Sequence, residues 1–162
     1  MNRVVLLTGG NLGNRAQVLS KAYDLISRRI GSISASSPLV ESEPWGFDSD
    51  EAFLNQVLVV ETEQEALEVL ANTQAIEKEL GRKRKKTQWV SREIDIDILF
   101  FNDQIINLEQ LTVPHKQLHK RKFTLYALNF VLPDYQHPVL KQSIRALLQQ
   151  CKEASKVEEY YA

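Results

Sequence analysis

The stretch that decides the fold is Arg92-Glu93-Ile94-Asp95-Ile96-Asp97-Ile98-Leu99-Phe100-Phe101. Isoleucine alternates with aspartate here, a pattern typical of a β-strand, in which successive side chains point to opposite faces of a sheet. Strand geometry therefore puts Asp95 and Asp97 on one face and the isoleucines around them on the other. The Cβ atoms of the two acids would lie about 7 Å apart, close enough for both carboxylates to reach bound cations.

Two carboxylates on one strand face repel each other and lose hydration unless a positive group lies between them. A solvated outer face of an antiparallel sheet would also tolerate such a pair, so the strand alone leaves both interpretations open. Directly upstream the chain has five consecutive cations, Arg82-Lys83-Arg84-Lys85-Lys86, followed by Trp89 and Arg92. Paired acids that suit Mg²⁺ beside a cationic loop are the chemistry of a polyphosphate site.

The composition predicts a single globular domain over residues 1–162. The chain has 162 residues, of which 43% are hydrophobic and 25% charged, enough for one well-buried core and too few for two ordinary domains. A net charge of −1 argues against general binding to nucleic acid or to an anionic membrane. Cys151 is the only cysteine, which excludes an internal disulfide and favours a cytoplasmic location. The apolar run over residues 4–7 is too short for a signal peptide or a membrane span.

Hydrophobic periodicity predicts alternating strands and helices. Strands are predicted over residues 3–8, 33–40 and 53–61 and around Asp95, and helices over residues 15–30, 62–81, 123–132 and 143–151. Thr62-Glu63-Gln64-Glu65 is interpreted as a capping box, and Asn102-Asp103 as a tight turn that opens a hairpin. The order β-α-β-β-α-β-β with late helices predicts an α+β fold, a ferredoxin-like sandwich with helices packed on a mostly antiparallel sheet.

Several polar features have more than one interpretation. The glycine turn Gly9-Gly10-Asn11-Leu12-Gly13 lacks the spacing of a P-loop or a dinucleotide fingerprint, so by itself it indicates a strand-to-helix turn. Asn55, near the start of an apolar strand, is either a satisfied core amide or an amide that recognises a ligand. Trp45 and Trp89 lie in polar, loop-like surroundings, where an indole usually covers something. His115 fits a general acid, a phosphate donor and a surface histidine equally well.

Taken in order along the chain, these segments resemble the 6-hydroxymethyl-7,8-dihydropterin pyrophosphokinases, ATP-dependent enzymes of folate biosynthesis. The resemblance spans most of the chain. Its segments are the glycine turn, Phe53-Leu54-Asn55, Gln74 with Glu77, Gly81-Arg82-Lys83-Arg84, Trp89 with Arg92-x-x-Asp95-x-Asp97, and Leu111-Thr112-Val113-Pro114-His115 with Arg121 and Phe123. The acid motif is specific when it is combined with Leu-Thr-Val-Pro-His. The chain departs from the usual family pattern at Gln88, Val90, Ser91 and Lys116.

The resemblance implies transfer of the β,γ-pyrophosphoryl group of ATP to the hydroxymethyl oxygen of the pterin, with release of AMP. It implies that Asp95 and Asp97 hold two Mg²⁺ ions and that Arg82 and Arg92 join them as catalytic residues. The residues implied for ATP are Gln74, Glu77, Arg84, Trp89, the backbone at Ile98, Thr112, His115 and Arg121. Those implied for the pterin are Thr8, Ser42, Glu43, Trp45, Phe53, Asn55 and Phe123, with its ring stacked between the two phenylalanines.

The expected partners are these two small molecules, bound by a monomer without nucleic acid or membrane. Two rival classes of function remain open. A different Asp-x-Asp enzyme, such as a nucleotidyltransferase, would use the acids but give no purpose to Asn55, Phe53 and Phe123, and a pterin titration separates it. A ligand-sensing domain of ferredoxin-like type would need no paired acids beside five cations, and an assay for AMP release separates that one.

Overall fold

The computed structural model describes residues 1–11, 13–43, 52–81 and 94–160. Its strands are β1 (Asn2–Gly10), β2 (Ser32–Ser36), β3 (Val40–Ser42), β4 (Phe53–Thr62), β5 (Asp95–Phe101), β6 (Ile106–Asn107), β7 (Thr112–Val113) and β8 (Val157–Glu159). Its α-helices are α1 (Arg15–Arg29), α2 (Ala66–Glu79), α3 (Lys122–Val131) and α4 (Ile144–Gln150), and a 3₁₀ helix covers Leu118–Lys120.

Six of the strands form one antiparallel sheet in the order β5-β1-β4-β3-β8, in which β2 also pairs with β4. The long strand β4 pairs with β1 along one edge, and β2 and β3 share its other edge. The path β1-α1-β2/β3-β4-α2-β5, with β1 and β4 in the centre, is that of a ferredoxin-like unit. The predicted fold class is confirmed, and the C-terminal strand β8 adds a further strand beside β3.

Helices cover both faces of this sheet. On one, the α1/α2 face, an apolar core includes Leu19, Ile26, Val69 and Ile76 from the helices and Val4, Leu6, Leu58 and Val60 from the strands. On the other, the α3/α4 face, the core includes Leu125, Leu128 and Leu147 from the helices and Val5, Leu7, Val57 and Val59 from the strands. Burial on both faces explains why β1 and β4 are almost continuously apolar in sequence.

Three local predictions were wrong. The strand predicted over residues 33–40 divides into β2 and β3, because Pro38 has no N–H for the ladder. The capping box does not form: Thr62 ends β4, its hydroxyl donates to the carbonyl of Ile30 at 2.6 Å, and α2 begins after Glu65 without a side-chain cap. The hairpin that follows Asn102 joins β6 to β7 and does not extend β5.

Candidate active site

The two acids of the motif lie at the start of the edge strand β5. Ile94, Ile96 and Ile98 belong to the core of the α1/α2 face, so the alternating Asp95 and Asp97 face the α3/α4 side, as the sequence predicted. A bulge follows them, since Leu6 pairs with Ile98 whereas Val5 pairs with Phe100. After the bulge, Leu99 and Phe100 belong to the α3/α4 core and Phe101 belongs to the α1/α2 core. Both carboxylates are half-buried outside the apolar clusters.

A cross-strand row connects the acids to the predicted pterin amide. Gly9 of β1 pairs with Asn55 of β4 on one side and with Asp95 of β5 on the other. Directly opposed residues in a sheet have Cβ positions about 5 Å apart, so a residue without a side chain lets a neighbouring side chain lean across its position. A Cβ atom on Gly9 would collide with Nδ2 of Asn55. The Asn55 side chain therefore leans over the glycine, towards the acids.

The hydrogen bonds of Asn55 distinguish its two interpretations. The residue is 7% exposed, and its Nδ2 donates to the carbonyl of Thr8 at 3.3 Å. Its Oδ1 is buried and, among the described residues, accepts no hydrogen bond. Leaving a buried acceptor unpaired costs about 1–3 kcal/mol, which a satisfied core amide would avoid. The arrangement favours an amide whose oxygen is completed by a ligand donor.

Three of the other described pterin candidates share the α3/α4 face with Asn55. Ser42 pairs with Phe53 at the ends of β3 and β4, and both alternate with neighbours that put them on the α3/α4 face. Phe123, in the first turn of α3, packs on the core of the same face. The side chain of Thr8 lies on the opposite face, fully buried, so Thr8 contributes its carbonyl to Asn55. Glu43 is exposed, and its Oε1 accepts from the backbone N–H of Lys156 at 3.4 Å.

The nucleotide candidates lie along the outer edge of β5. Glu77 is 4% exposed, and its Oε2 accepts from the backbone N–H of Ile96, between the two acids, at 2.7 Å. Because that N–H points away from β1, strand alternation puts the N–H of Ile98 on the same edge. Gln74 is exposed on α2, and Thr112 lies in β7. These residues border one edge, where a planar base could pair with backbone groups.

His115 and Arg121 lie beyond that edge. The backbone N–H of His115 donates to the carbonyl of Leu99 at 3.0 Å, and Nδ1 of His115 accepts from the N–H of Gln117 at 3.1 Å. Burial, and next the charge of Arg121, lowers the pKa of His115 below its usual 6.5. The imidazole is therefore neutral at pH 7, with its hydrogen on Nε2 as a donor. The guanidinium of Arg121 lies 6.0 Å from the ring centre of Phe123, where α3 begins.

Comparison with known proteins identifies the family. A family model described as "7,8-dihydro-6-hydroxymethylpterin-pyrophosphokinase (HPPK)" matches residues 5–133. The chain belongs to this family. It is 37% identical over 145 residues to the "2-amino-4-hydroxy-6-hydroxymethyldihydropteridine pyrophosphokinase" of Aquifex aeolicus, covering 90% of this chain and 89% of that protein. It is 40% identical over 138 residues to the protein of the same name from Porphyromonas gingivalis, covering 83% and 93%.

Solved structures confirm the HPPK fold. The crystal structure of wild-type Plasmodium falciparum HPPK-DHPS with pteroate has a TM-score of 0.76 and 21% sequence identity, and the match covers 92% of this chain and 44% of that one. At this identity the likeness concerns the fold alone. The resemblance predicted from the sequence is thus confirmed, whereas the residue roles stay predictions. Among the described residues, no helix is both long and apolar enough to span a membrane.

Five site residues expected of an HPPK lie outside the described residues: Trp45, Arg82, Arg84, Trp89 and Arg92. Sequence reasoning missed the role of Gly9, which it assigned to a turn although β1 continues through Gly10. A glycine inside a strand often marks a close approach of another group, and this signal could have indicated the contact between Gly9 and Asn55.

The described acids suit Mg²⁺ shared with a polyphosphate. Over residues 1–11, 13–43, 52–81 and 94–160, no three His, Cys, Asp or Glu side chains converge on a possible metal position. Asp95 and Asp97 alone would leave most of an ion's coordination open. Mg²⁺ is commonly held by one or two carboxylates and completed by water and substrate phosphates, so the donor set fits this ion.

Proposed function

We propose that the chain transfers the β,γ-pyrophosphoryl group of ATP to the hydroxymethyl oxygen of 6-hydroxymethyl-7,8-dihydropterin in folate biosynthesis, at the α3/α4 face beside β5. The observation that carries this assignment is the row Asn55–Gly9–Asp95 across three strands. It puts an amide with an unsatisfied buried oxygen, leaning over a glycine, one strand away from a carboxylate pair. A pterin bound to that amide would have its hydroxymethyl group close to the acids.

The pterin site would use stacking and one amide. The ring would lie between Phe53 and Phe123, both on the α3/α4 face, since aromatic faces bind flat heterocycles well. Oδ1 of Asn55 would accept from a ring N–H or amino group. Backbone groups near Ser42, Glu43 and Trp45 would complete the pocket. Thr8 would act through its carbonyl oxygen, which accepts the hydrogen bond from Asn55.

The nucleotide would lie along the outer edge of β5, and its phosphates would extend towards the acids. The N–H of Ile98 would meet the adenine, while Gln74, Glu77 and Thr112 would lie near the nucleoside. His115 and Arg121 would donate to the triphosphate, together with Arg82, Arg84, Trp89 and Arg92 of the basic loop. Asp95 and Asp97 would hold two Mg²⁺ ions, which when bound neutralise phosphate charge.

In the reaction, the hydroxyl oxygen forms a bond to the β-phosphorus, and the bond from that phosphorus to the oxygen of the α-phosphate breaks. AMP leaves, and the hydroxyl proton passes to water. The protein needs little covalent chemistry for this, because alignment and charge compensation supply most of the acceleration. Glu77 supports the alignment indirectly, since its bond to the N–H of Ile96 fixes the strand between the two acids.

Replacing His115 tests the phosphate side. His115→Ala should weaken binding of Mg-ATP at least about tenfold, because a hydrogen bond to a charged group is worth about 1.5–3 kcal/mol. His115→Gln, which keeps a donor N–H near the position of Nε2, should bind within about threefold of wild type. Calorimetric titrations with a non-hydrolysable ATP analogue measure both.

The lowered pKa of His115 also predicts how the affinity for the ATP analogue depends on pH. Its neutral form is favoured in the folded protein, so between pH 7 and 8.5 the wild-type and His115→Gln proteins should show parallel affinities. Affinity that falls with rising pH in the wild type alone would show that an imidazolium binds the phosphates, contrary to the assigned tautomer.

A coupled assay for AMP tests the function itself. With Mg-ATP and the hydroxymethyl dihydropterin together, AMP should form in step with the pterin pyrophosphate. With either substrate alone it should not. Pterin binding that is absent at saturating ATP analogue would instead support a nucleotidyltransferase, and pterin binding without any AMP formation would support a sensing domain.

We propose that residues 1–162 act as one domain and as a monomer in the cytoplasm. Both apolar cores lie on the same sheet, which supports a single unit, and the lone Cys151 suits a reducing compartment.

A further inference from the structure

Arg15, the first residue of α1, contacts the chain on both sides of the segment 44–51. Its Nη1 lies 2.9 Å from Oε2 of Glu41 in β3 and donates to the carbonyl of Ala52, next to β4, at 2.7 Å. The side chains of this pair are only 18% and 29% exposed. A half-buried guanidinium with two anchored acceptors loses less to solvent and to side-chain disorder than a surface ion pair does.

Tyr160 covers the same guanidinium from the C-terminal segment. Its ring centre lies 5.3 Å from Cζ of Arg15, and its backbone N–H donates to the carbonyl of Leu39 at 2.8 Å. The residues just before Tyr160 form β8, which pairs with Val40–Ser42 of β3. Tyr160 lies beyond residues 5–133, the part that matches the HPPK family model, so the family match says nothing about this contact.

The two stems that Arg15 joins carry pterin candidates at their next positions. Ser42 and Glu43 follow Glu41 directly, and Phe53 and Asn55 follow Ala52. Ser42 and Phe53 are paired in register across β3 and β4. A shift of either stem would therefore move the residues proposed to hold the pterin, while β5, which carries the nucleotide candidate Ile98, is separated from β4 by β1 in the sheet.

We infer that Arg15 and Tyr160 are positioning residues for the pterin half of the site: Arg15 ties the β3 and β4 stems together, and Tyr160 holds its guanidinium in place. The inference rests on the proposed function for its consequence in binding. It assigns to the C-terminal strand a role in substrate affinity, in addition to protecting the sheet edge beside β3.

Substitution at Arg15 and at a matched arginine tests the inference. Arg15→Ala should raise the dissociation constant for the hydroxymethyl pterin about fivefold and leave that for an ATP analogue within about twofold, because only the pterin stems lose an anchor. Arg29→Ala, at the other end of α1, removes a more exposed ion pair with Glu79 and should change neither constant. Calorimetry with each ligand in turn measures all of these values.

Tyr160 provides a second, graded test. Tyr160→Phe keeps the ring beside the guanidinium and should bind the pterin as the wild type does. Tyr160→Ala should reproduce a large part of the Arg15→Ala loss, and the double variant Arg15→Ala/Tyr160→Ala should be no worse than Arg15→Ala alone. Full additivity in the double variant, or equal losses for both substrates, would overturn the inference.

Hydrogen exchange separates this inference from the proposed function. In the ligand-free protein, Arg15→Ala should speed amide exchange in residues 40–43 and 52–54 and leave the pairing of β1 with β5 protected. If the wild-type protein binds no pterin, the proposed function is wrong, but the exchange result still tests whether Arg15 holds the two stems. Unchanged exchange at both stems would refute that role.

Discussion

Asp97→Asn should lower kcat about a thousandfold or more and leave the fold intact. Asp97 faces the α3/α4 side outside the apolar clusters, and asparagine has nearly the same size and shape, so the substitution should leave the apolar packing unchanged. Removing one of two neighbouring carboxylates also relieves their mutual repulsion, so the variant should stay folded at the assay temperature. Asp95→Asn should behave in the same way, because it shares this face.

The measurement is AMP release at saturating Mg²⁺ and both substrates, together with thermal unfolding. Asp24→Asn is the matched control, since Asp24 forms an exposed ion pair with Arg28 on α1 and lies far from β5 in the chain. Its kcat should equal that of the wild type. Near-normal turnover in either Asp95→Asn or Asp97→Asn would contradict the proposed metal ligands. A large fall in melting temperature would show instead that the acids hold the strand.

The strand that carries Asp95 and Asp97 could be predicted because the pattern that defines it lies within the strand's own sequence. In β5 the alternation of isoleucine and aspartate assigns each side chain to a face before any partner strand is known. The same holds for α1 and α3, whose apolar spacing gave bounds within a residue or two of those observed. The bulge at Leu99 could not be foreseen, because it exists only relative to the register of β1.

The rest of the site depends on pairing between distant segments. That Gly9 lies between Asn55 and Asp95 follows from the registers of β1 with β4 and β5, and no local pattern encodes a register. The same reason hid the contact of Arg15 with Tyr160 and the use of Thr62 to hold the end of α1. Local sequence thus indicated which residues are chemically able to act, and the sheet decides which of them meet.

Asn55→Ala should weaken binding of the hydroxymethyl pterin at least about tenfold and leave Mg-ATP binding within about twofold. The buried Oδ1 is available to a ligand donor, and without it that donor would be desolvated and unpaired. Asn55→Asp keeps an acceptor oxygen but loses the N–H that binds the carbonyl of Thr8, so we expect an intermediate affinity. Equal losses for both substrates would contradict the assignment, and a collapse in stability would support the core-amide alternative.

Gly9→Ala tests the same contact from the other strand. The added methyl would meet Nδ2 of Asn55 and would lie 3.0 Å from its Cγ, so the amide must rotate away from its ligand-binding position. Pterin affinity should therefore fall about as far as in Asn55→Ala, with ATP affinity retained. Once Asn55 is already alanine, only a 3.3 Å contact of the new methyl with the carbonyl oxygen of Leu54 remains, and adding Gly9→Ala should cost little more. Independent, additive losses in this double-mutant cycle would show that the glycine serves the backbone of β1 and not the amide beside it.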